Sequence, residues 1–430
     1  MNPDRYYLAD QEIKLDTPDA KHKLTQRLRQ YLELRNVSIL PGNGCSIPLG
    51  APVLNDTRKL KPEIQTEPYK LSNSQQQQQA LALLDLLLPG SSPPISVEAF
   101  LGVLSNIISN TQSLPTTTTF QVNNTPVTRQ EANALDNLLK KWLYHRCLQI
   151  SDPPEDKITH HRELFRRILL RSTNLPRCKV FTTNYDLILE HALDSLGIMY
   201  LDGFTGTIKR TLHSESYHYD LYYPGETTEG HVSRVDRVLH LYKLHGSINW
   251  RRSNGGSTLD VTTSPAIPMD ADYGDVMVYP SPLKATETHG YPYSEMLRRF
   301  SSQMNQPQSV LITIGYAFMD EHINRLIYQA LNVPSFVLVI VVPEFPVPAT
   351  NAQPGPEHEI WRLINHVKST RIVVITGGSK VDGQYKQGAG TLQDFATTVM
   401  PDITELDIEA RVSDEARRAD RREQEAPLAE

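Results

Sequence analysis

Residues 309–324 read Ser-Val-Leu-Ile-Thr-Ile-Gly-Tyr-Ala-Phe-Met-Asp-Glu-His-Ile-Asn. Six mostly apolar residues form a strand-like run, Gly315 breaks it, and a helical stretch follows over about 320–331. Strand, glycine turn and helix start in succession are the building unit of a parallel sheet. Short, continuously apolar runs recur at 336–342 and 371–375, with a helical stretch near 357–367 between them. Such runs suit strands buried on both faces, which predicts an α/β fold with helices covering a parallel sheet.

Working toward the N-terminus, the same grammar reappears. Residues 178–182 form a β-rich run ending in Thr183-Asn184-Tyr185-Asp186, and an amphipathic segment over 187–196 stops at Gly197. Residues 217–223 and 238–244 also read as strands. A helix over 20–35, with Leu24, Leu28, Tyr31 and Leu32 at helical spacing, is closed by Asn36 after an opening polar arm. Residues 37–40 are then a buried strand, broken by Pro41-Gly42-Asn43-Gly44. From about 57 to 174 the pattern is helical, with polar breaks at 75–79 and at the Thr-rich 111–128. Thr128 and Glu131 have capping-box spacing ahead of Leu135, Leu138, Leu139, Trp142 and Leu143. The expected organisation is one α/β domain over 1–404 that carries a helical insertion over about 57–174. A Pro-rich loop occupies 343–356, and 405–430 is a tail of mixed charge.

Composition narrows the function classes. The chain has 430 residues, 39% of them hydrophobic and 21% charged, enough apolar content for a sizeable core. Lys and Arg number 43 against 49 Asp and Glu, a formal charge of −6, which argues against a protein whose main task is coating DNA or anionic lipid. Cys45, Cys147 and Cys178 are widely separated and form no C-x-x-C pair, so neither a disulfide framework nor a four-cysteine zinc site is expected. No secretory h-region and no run of membrane-spanning length are readable, so a cytoplasmic protein is expected.

Four strand ends could carry chemistry. Gly42-Asn43-Gly44-Cys45-Ser46 follows a strand, where glycines permit close approach of backbone amides to a pyrophosphate. A tight turn without ligand explains the same residues. Ile47 stands where the dinucleotide fingerprint needs its third glycine, and no Walker A sequence occurs. Phe181-Thr182-Thr183-Asn184-Tyr185-Asp186 lies at the carboxyl end of a parallel strand, where open α/β sheets place ligands, although Asn and Asp also serve as helix N-caps. Lys243-Leu244-His245-Gly246 closes another strand; His245 is either a general base or a hydrogen-bonded structural histidine. Gly315 and Tyr316 mark a second turn able to meet a nucleotide, or an ordinary strand-to-helix turn. His160, His161, His213, His218 and His322 show no acidic or cysteine company at metal-ligand spacing, so no metal is expected.

Taken together, these segments resemble the sirtuins. Gly42 to Ser46 with Gly50-Ala51-Pro52 behind resembles the sirtuin Gly-Ala-Gly-x-Ser…Gly-Ile-Pro loop, and Thr182 to Asp186 resembles Thr-Gln-Asn-x-Asp. His245-Gly246 falls where the sirtuin His-Gly falls. The spelling over 244–250 and 314–323 looks most like the sirtuin-like NAD+ hydrolases of bacterial antiphage defence. The resemblance covers about 37–56 and 178–345. It implies a Rossmann-like sheet and NAD+ as substrate. Gly42, Asn43, Gly44, Cys45, Ser46 and Thr183 would line the nucleotide, and Gly315 and Tyr316 would face its adenosine half. Asn184 would stand by the nicotinamide ribose, Asp186 near the nicotinamide, and His245 would be the base.

The chain also departs from the protein-deacylating sirtuins. Asn43 replaces alanine, Thr183 replaces glutamine, Val53-Leu54-Asn55 replaces Asp-Phe-Arg, and the zinc module is absent from the sequence. What the resemblance implies is therefore hydrolysis of NAD+ to nicotinamide and ADP-ribose, depleting NAD+ during phage infection. Expected partners are further copies of the chain and a HerA-type hexameric ATPase, or else an Argonaute-like or sensor protein. Direct nucleic-acid binding and membrane association are not expected. A lysine deacylase and a non-catalytic NAD- or ADP-ribose-binding subunit are the alternatives.

Overall fold

The computed structural model describes residues 2–402 apart from 54–59, 67–68, 70, 72, 88–96, 112, 116–117, 123–124, 173, 224–233, 253–260, 265–289, 350–352 and 382–383. The first residues expected of the helical insertion and the whole 405–430 tail therefore lie outside the described residues.

Strands β1 (Asn2–Leu8) and β2 (Gln11–Lys14) form a hairpin, followed by helix α1 (Pro18–Leu32) and β3 (Asn36–Pro41). A helical stretch comes next: α2 (Lys61–Ile64), α3 (Ser74–Leu87) and α4 (Val97–Asn110), the hairpin β4 (Thr119–Val122) and β5 (Thr125–Thr128), then α5 (Arg129–Gln149) and α6 (Thr159–Ile168). The chain returns through β6 (Lys179–Thr182), α7 (Ile188–Ser195), β7 (Met199–Leu201), β8 (Phe204–Thr205), β9 (Arg210–Leu212), β10 (Val238–Lys243), β11 (Trp250–Arg252) and β12 (Val261–Thr263). It ends with α8 (Tyr293–Met304), β13 (Ser309–Ile314), α9 (Glu321–Ala330), β14 (Phe336–Val341), β15 (Ile372–Val381) and β16 (Gln384–Gln387).

The main sheet runs β2-β1-β15-β14-β13-β3-β6-β10-β7, with β16 paired to β15. From β15 to β7 every neighbouring pair is parallel; β1 and β2 add antiparallel strands at one edge. The expected parallel α/β sheet is present. From β3 the chain builds outward through β6 and then reverses to the other flank of β3 with β13. This reversal is the switch point beyond whose strand ends open α/β sheets bind ligands.

Alternation of side chains explains why the strands read as unbroken apolar runs. Val310, Ile312 and Ile314 point into one core with Val37, Ile39, Val180, Val339 and Val373, packed against α1, α6 and α7. Leu311, Leu40, Phe181, Leu338 and Val374 point into the opposite core, against α8 and α9. An aromatic stack organises this second face. Tyr242 stacks on Phe181 at 4.6 Å and on Tyr217 at 4.3 Å, and Phe300 of α8 meets Phe181 edge-on at 4.9 Å. A third core belongs to α2–α5, with Leu135, Leu138, Leu139, Trp142 and Leu143 fully buried, and it takes in Tyr185 and Ile248. The Thr128–Glu131 capping box forms as expected.

Four expectations are corrected. The opening arm is β1, an antiparallel strand against β15; its polar start Asn2-Pro3-Asp4-Arg5, ahead of buried Tyr6, makes a short strand near the sheet edge look like a polar tail. The first helix ends at Leu32, capped by Glu33, while Asn36 begins β3 and binds the Pro307 carbonyl through its side chain at 2.9 Å. Residues 217–223 are not a strand. Ser214–His218 is a tight 3-10 turn, tied by Ser216 to the His213 carbonyl, and only Tyr222 makes a bridge, to Arg234. Tyr217 is buried for stacking on Tyr242, while Tyr219, Tyr222 and Tyr223 are exposed, so aromatic content mimics a strand here. The Thr-rich break over 111–128 contains the β4–β5 hairpin. No helix among the described residues is long and apolar enough to cross a membrane.

Phe300→Ala removes a wholly buried ring from the aromatic stack. It is expected to cost about 3–5 kcal/mol of unfolding free energy by urea denaturation. A loss under about 1 kcal/mol would contradict this packing.

Candidate active site at the strand carboxyl ends

Four strand ends converge: β3, β6, β10 and β13. The turn after β3 is a 3-10 turn over Asn43–Cys45 that packs directly on the turn after β13. A Cβ on Gly42 would lie 2.8 Å from the Gly315 carbonyl oxygen, one on Gly44 2.7 Å from the Gly315 Cα, and one on Gly315, where φ is +62°, 2.8 Å from the Cys45 nitrogen. Glycine is required here because two backbones touch. The amides of Gly42 and Gly44 donate to the carbonyls of Ile314 and Gly315, both at 2.9 Å, and those of Cys45 and Ser46 donate within the turn. Four of the amides in 42–46 are thus engaged inside the protein. Asn43 is pinned as well, its side chain donating to the Pro52 carbonyl at 2.9 Å.

The Cys45 thiol points away into the core, 3.2 Å from the Ile314 carbonyl oxygen, and burial pushes it up to about 12. It is no nucleophile at neutral pH, and only its backbone belongs to the turn's surface. Tyr316 is likewise buried and donates to Asn324 Oδ1 at 2.9 Å. Its ring holds the second turn in place.

After β6, Thr182 Oγ1 donates to the Pro41 carbonyl at 2.8 Å and accepts the Asn184 amide at 3.1 Å. Thr183 is half-buried. Asn184 is 5% exposed, and its Nδ2 donates to the Gly42 carbonyl at 3.2 Å and to Ser46 Oγ at 3.0 Å. With the amide nitrogen fixed on both sides, Oδ1 is left buried with no hydrogen-bond donor. An orphaned buried acceptor costs about 1–3 kcal/mol and points to a missing donor.

Asp186 is buried, accepts the Ile188 amide at 3.2 Å and bonds Ser46. Behind it, Lys243 is 3% exposed in its side chain and donates to the Asp186 carbonyl and, at 3.0 Å, to Glu190 Oε1. Burial raises both Asp186 and Glu190 above the usual carboxylate range, opposed chiefly by Lys243.

After β10, His245 is 2% exposed. The β6–β10 register pairs Thr182 with Lys243, so Asn184 and His245 each stand two residues past the ends of adjacent strands. Gly246, at φ +79°, turns the chain, and Ile248 N bonds the Tyr185 carbonyl at 3.1 Å, tying the two strand ends together. Nε2 of His245 is 3.1 Å from Nε2 of His322, on α9.

The expectation that His322 lacks acidic company is corrected here. Asp320 stands two residues before it, and His245, Asp320 and His322 place one ligand atom each within 4.8 Å of one another. Spacing along the chain could not reveal a partner supplied by another strand. Lys243, Glu190, Asp320 and His322 are the site residues that sequence reasoning missed. The readable signal for the last two was their place just past a parallel strand, the same logic that selected His245.

Residues 179–367 match the model of the SIR2-like domain. The span takes in Asn184, Asp186, His245, Asp320 and His322, while the glycine turn at 42–46 lies outside it. Similar solved structures include a triple mutant of Sir2 homologues in complex with 2′-O-acetyl ADP ribose, 12% identical, covering 74% of this chain and 84% of that one at a TM-score of 0.31. Two single mutants of a Sir2 homologue in complex with ADP ribose are each 14% identical, covering 80% of this chain and 96% of theirs at a TM-score of 0.30. No curated protein sequence matches the chain.

The buried charges give a pH signature. A carboxyl whose folded value is raised binds its proton more tightly folded than unfolded. Its contribution to stability is complete below the ordinary carboxylate range and is lost as pH rises through the raised value. Lys243→Met removes the ammonium that offsets this loss. The variant is expected to lose about 3–5 kcal/mol near pH 8 and clearly less near pH 5, read from urea midpoints. Equal losses at both pH values would contradict the assignment.

Proposed function

We propose that this chain is an NAD+ hydrolase that cleaves the bond between nicotinamide and ribose, with water as the acceptor. The observation that carries the reading is the buried, donorless Oδ1 of Asn184, on the strand end adjacent to that of His245. A ribose hydroxyl or a water is a donor of the right size and chemistry for that oxygen. Within the matched SIR2-like span, the Asn-x-Asp and His-Gly segments also sit at the strand ends where the resemblance to sirtuins expects them.

In this mechanism the C1′–N bond breaks with its electron pair leaving on nicotinamide, already a cationic leaving group. Water forms the new bond to C1′ and gives its proton to His245. Asn184 orients the water or the ribose hydroxyls, a positioning role in which fixed geometry lowers the barrier. General-base assistance by His245 contributes about 10²–10⁴-fold. Asp186, clamped by Ser46 and backed by Lys243, holds the end of β6 that presents Asn184.

The same proposal makes the catalytic unit residues 1–404, with an insertion over about 57–174 in which α2–α5 own a separate core while α6 packs on the sheet. It makes the chain an effector that depletes NAD+ in antiphage defence, working as a homo-oligomer beside a HerA-type ATPase; the motif spelling over 244–250 and 314–323 supports this part.

Nicotinamide release from NAD+, followed by chromatography, tests the reaction. The wild type is expected to release nicotinamide and ADP-ribose equally with and without acylated peptide. Asn184→Ala and His245→Ala should each lower kcat/KM by about 100-fold or more while keeping the far-UV circular dichroism of the wild type. Wild-type turnover in either variant would overturn the residue roles. Release that requires acylated peptide would overturn the choice of water as acceptor.

A further inference from the structure

The structure brings together three side chains that the hydrolytic reading uses only in part. His245 follows the end of β10, Asp320 is the N-cap of α9, and His322 stands in its first turn. One ligand atom from each lies within 4.8 Å of the other two, and the two Nε2 atoms are 3.1 Å apart. We infer that His245, Asp320 and His322 form a binding site for one divalent d-block cation of the Zn2+ type, and that the cation holds the hydrolase off.

The geometry suits such an ion. With metal–nitrogen bonds of about 2.05 Å, nitrogens 3.1 Å apart subtend about 98° at the metal. That value lies between the octahedral and tetrahedral angles, so the separation of the two nitrogens suits one shared ion. An oxygen within 4.8 Å of both nitrogens lies within about 3.2 Å of an ion so placed, so the Asp320 carboxylate closes the set by a shift of about 1 Å. Two imidazoles and one carboxylate select borderline d-block ions over Mg2+ or Ca2+, which favour oxygen ligands.

The turn that supplies two of the ligands is firmly built. Phe318 is buried with φ at +58°, a costly conformation for a bulky residue. Asn324 Nδ2 donates to the Phe318 carbonyl at 2.7 Å, while Asn324 Oδ1 accepts from Tyr316 at 2.9 Å. On the other side, His245 is held by the β6–β10 register and the Gly246 turn.

The inhibitory part rests on the hydrolase reading. Nε2 of His245 has one lone pair, which can bind a metal or accept a proton from water. Filling the site therefore removes the base, and a chelator restores it.

The test uses the full chain after chelator treatment, with CoCl2 and ZnCl2 as probes. The wild type is expected to bind one Co2+ with visible d–d absorption, which Zn2+ displaces, and titration calorimetry should give one Zn2+ per chain. Zn2+ should raise the wild-type Tm and abolish nicotinamide release, with EDTA reversing both. His322→Gln and Asp320→Asn should each weaken binding by more than about 100-fold, beyond the loss typical of an outer-sphere partner, and should lose the Tm rise. Should one variant fail to fold, the other carries the comparison.

Absence of stoichiometric binding by the wild type, or undiminished binding by the folded variants, would overturn the site. Turnover that persists with Zn2+ bound would overturn the inhibition. Stoichiometric binding by a protein that never releases nicotinamide would support the cation site and overturn the hydrolase reading, so the two failures are distinguishable.

Discussion

Backbone-to-backbone contact between two turns holds the carboxyl edge of the sheet in register. Gly42 and Gly44 end β3, Gly315 ends β13, and the space between them admits no Cβ. This contact sits at the strand pair where the chain reverses its direction of building. The carbonyl of Gly42, fixed by that contact, holds the amide of Asn184; Ser46, one turn residue further on, holds the same amide and Asp186. The orientation of the candidate catalytic asparagine is thus set by the Gly42 carbonyl and the Ser46 hydroxyl, both placed by a contact between glycines. A polar network of this kind is costly if any member is unsatisfied, which makes the unmet Oδ1 of Asn184 stand out against its bonded neighbours.

The buried charges behind the site follow from the same architecture. A parallel strand end buried on both faces has no water to stabilise ionised groups, so Asp186 and Glu190 are raised and share Lys243. Breaking such a group is expensive, whereas its presence contributes little net stability. Its effect is to pin the loop after β6 to the start of α7, because Lys243 bonds the Asp186 carbonyl and the Glu190 carboxylate together.

Much of this was legible in the residues. The strands β3, β6, β10, β13, β14 and β15 are readable because burial on both faces leaves no polar alternation, and the turns after them because glycine and asparagine punctuate so strongly. The candidate residues Asn184 and His245 are readable because open α/β sheets place ligands at such strand ends. What stayed hidden depends on contacts between distant segments. β1 earns its place by pairing with a strand some 370 residues away, which no local pattern records. Tyr217 answers to stacking on Tyr242, not to a ladder. His322 and Lys243 look ordinary along the chain, and gain meaning only beside His245 and Glu190. The glycines of 42–46 were readable as a phosphate cradle, but four of the turn's amides face inward, toward its neighbour or itself.

The third core ends in an unusual way. Besides residues of the helical stretch it holds Tyr185 and Ile248, which directly follow Asn184 and closely follow His245. Those same two residues are joined by a backbone hydrogen bond. The helices α2–α5 thus grip one short crossbar that joins both candidate catalytic loops, and Arg251 reaches back from β11 to bond Tyr144 of α5. A load applied to α5 is delivered to both loops at once, as through a lever with a single fulcrum. Substitutions along α5 at its contacts with this crossbar should therefore be felt at both loops.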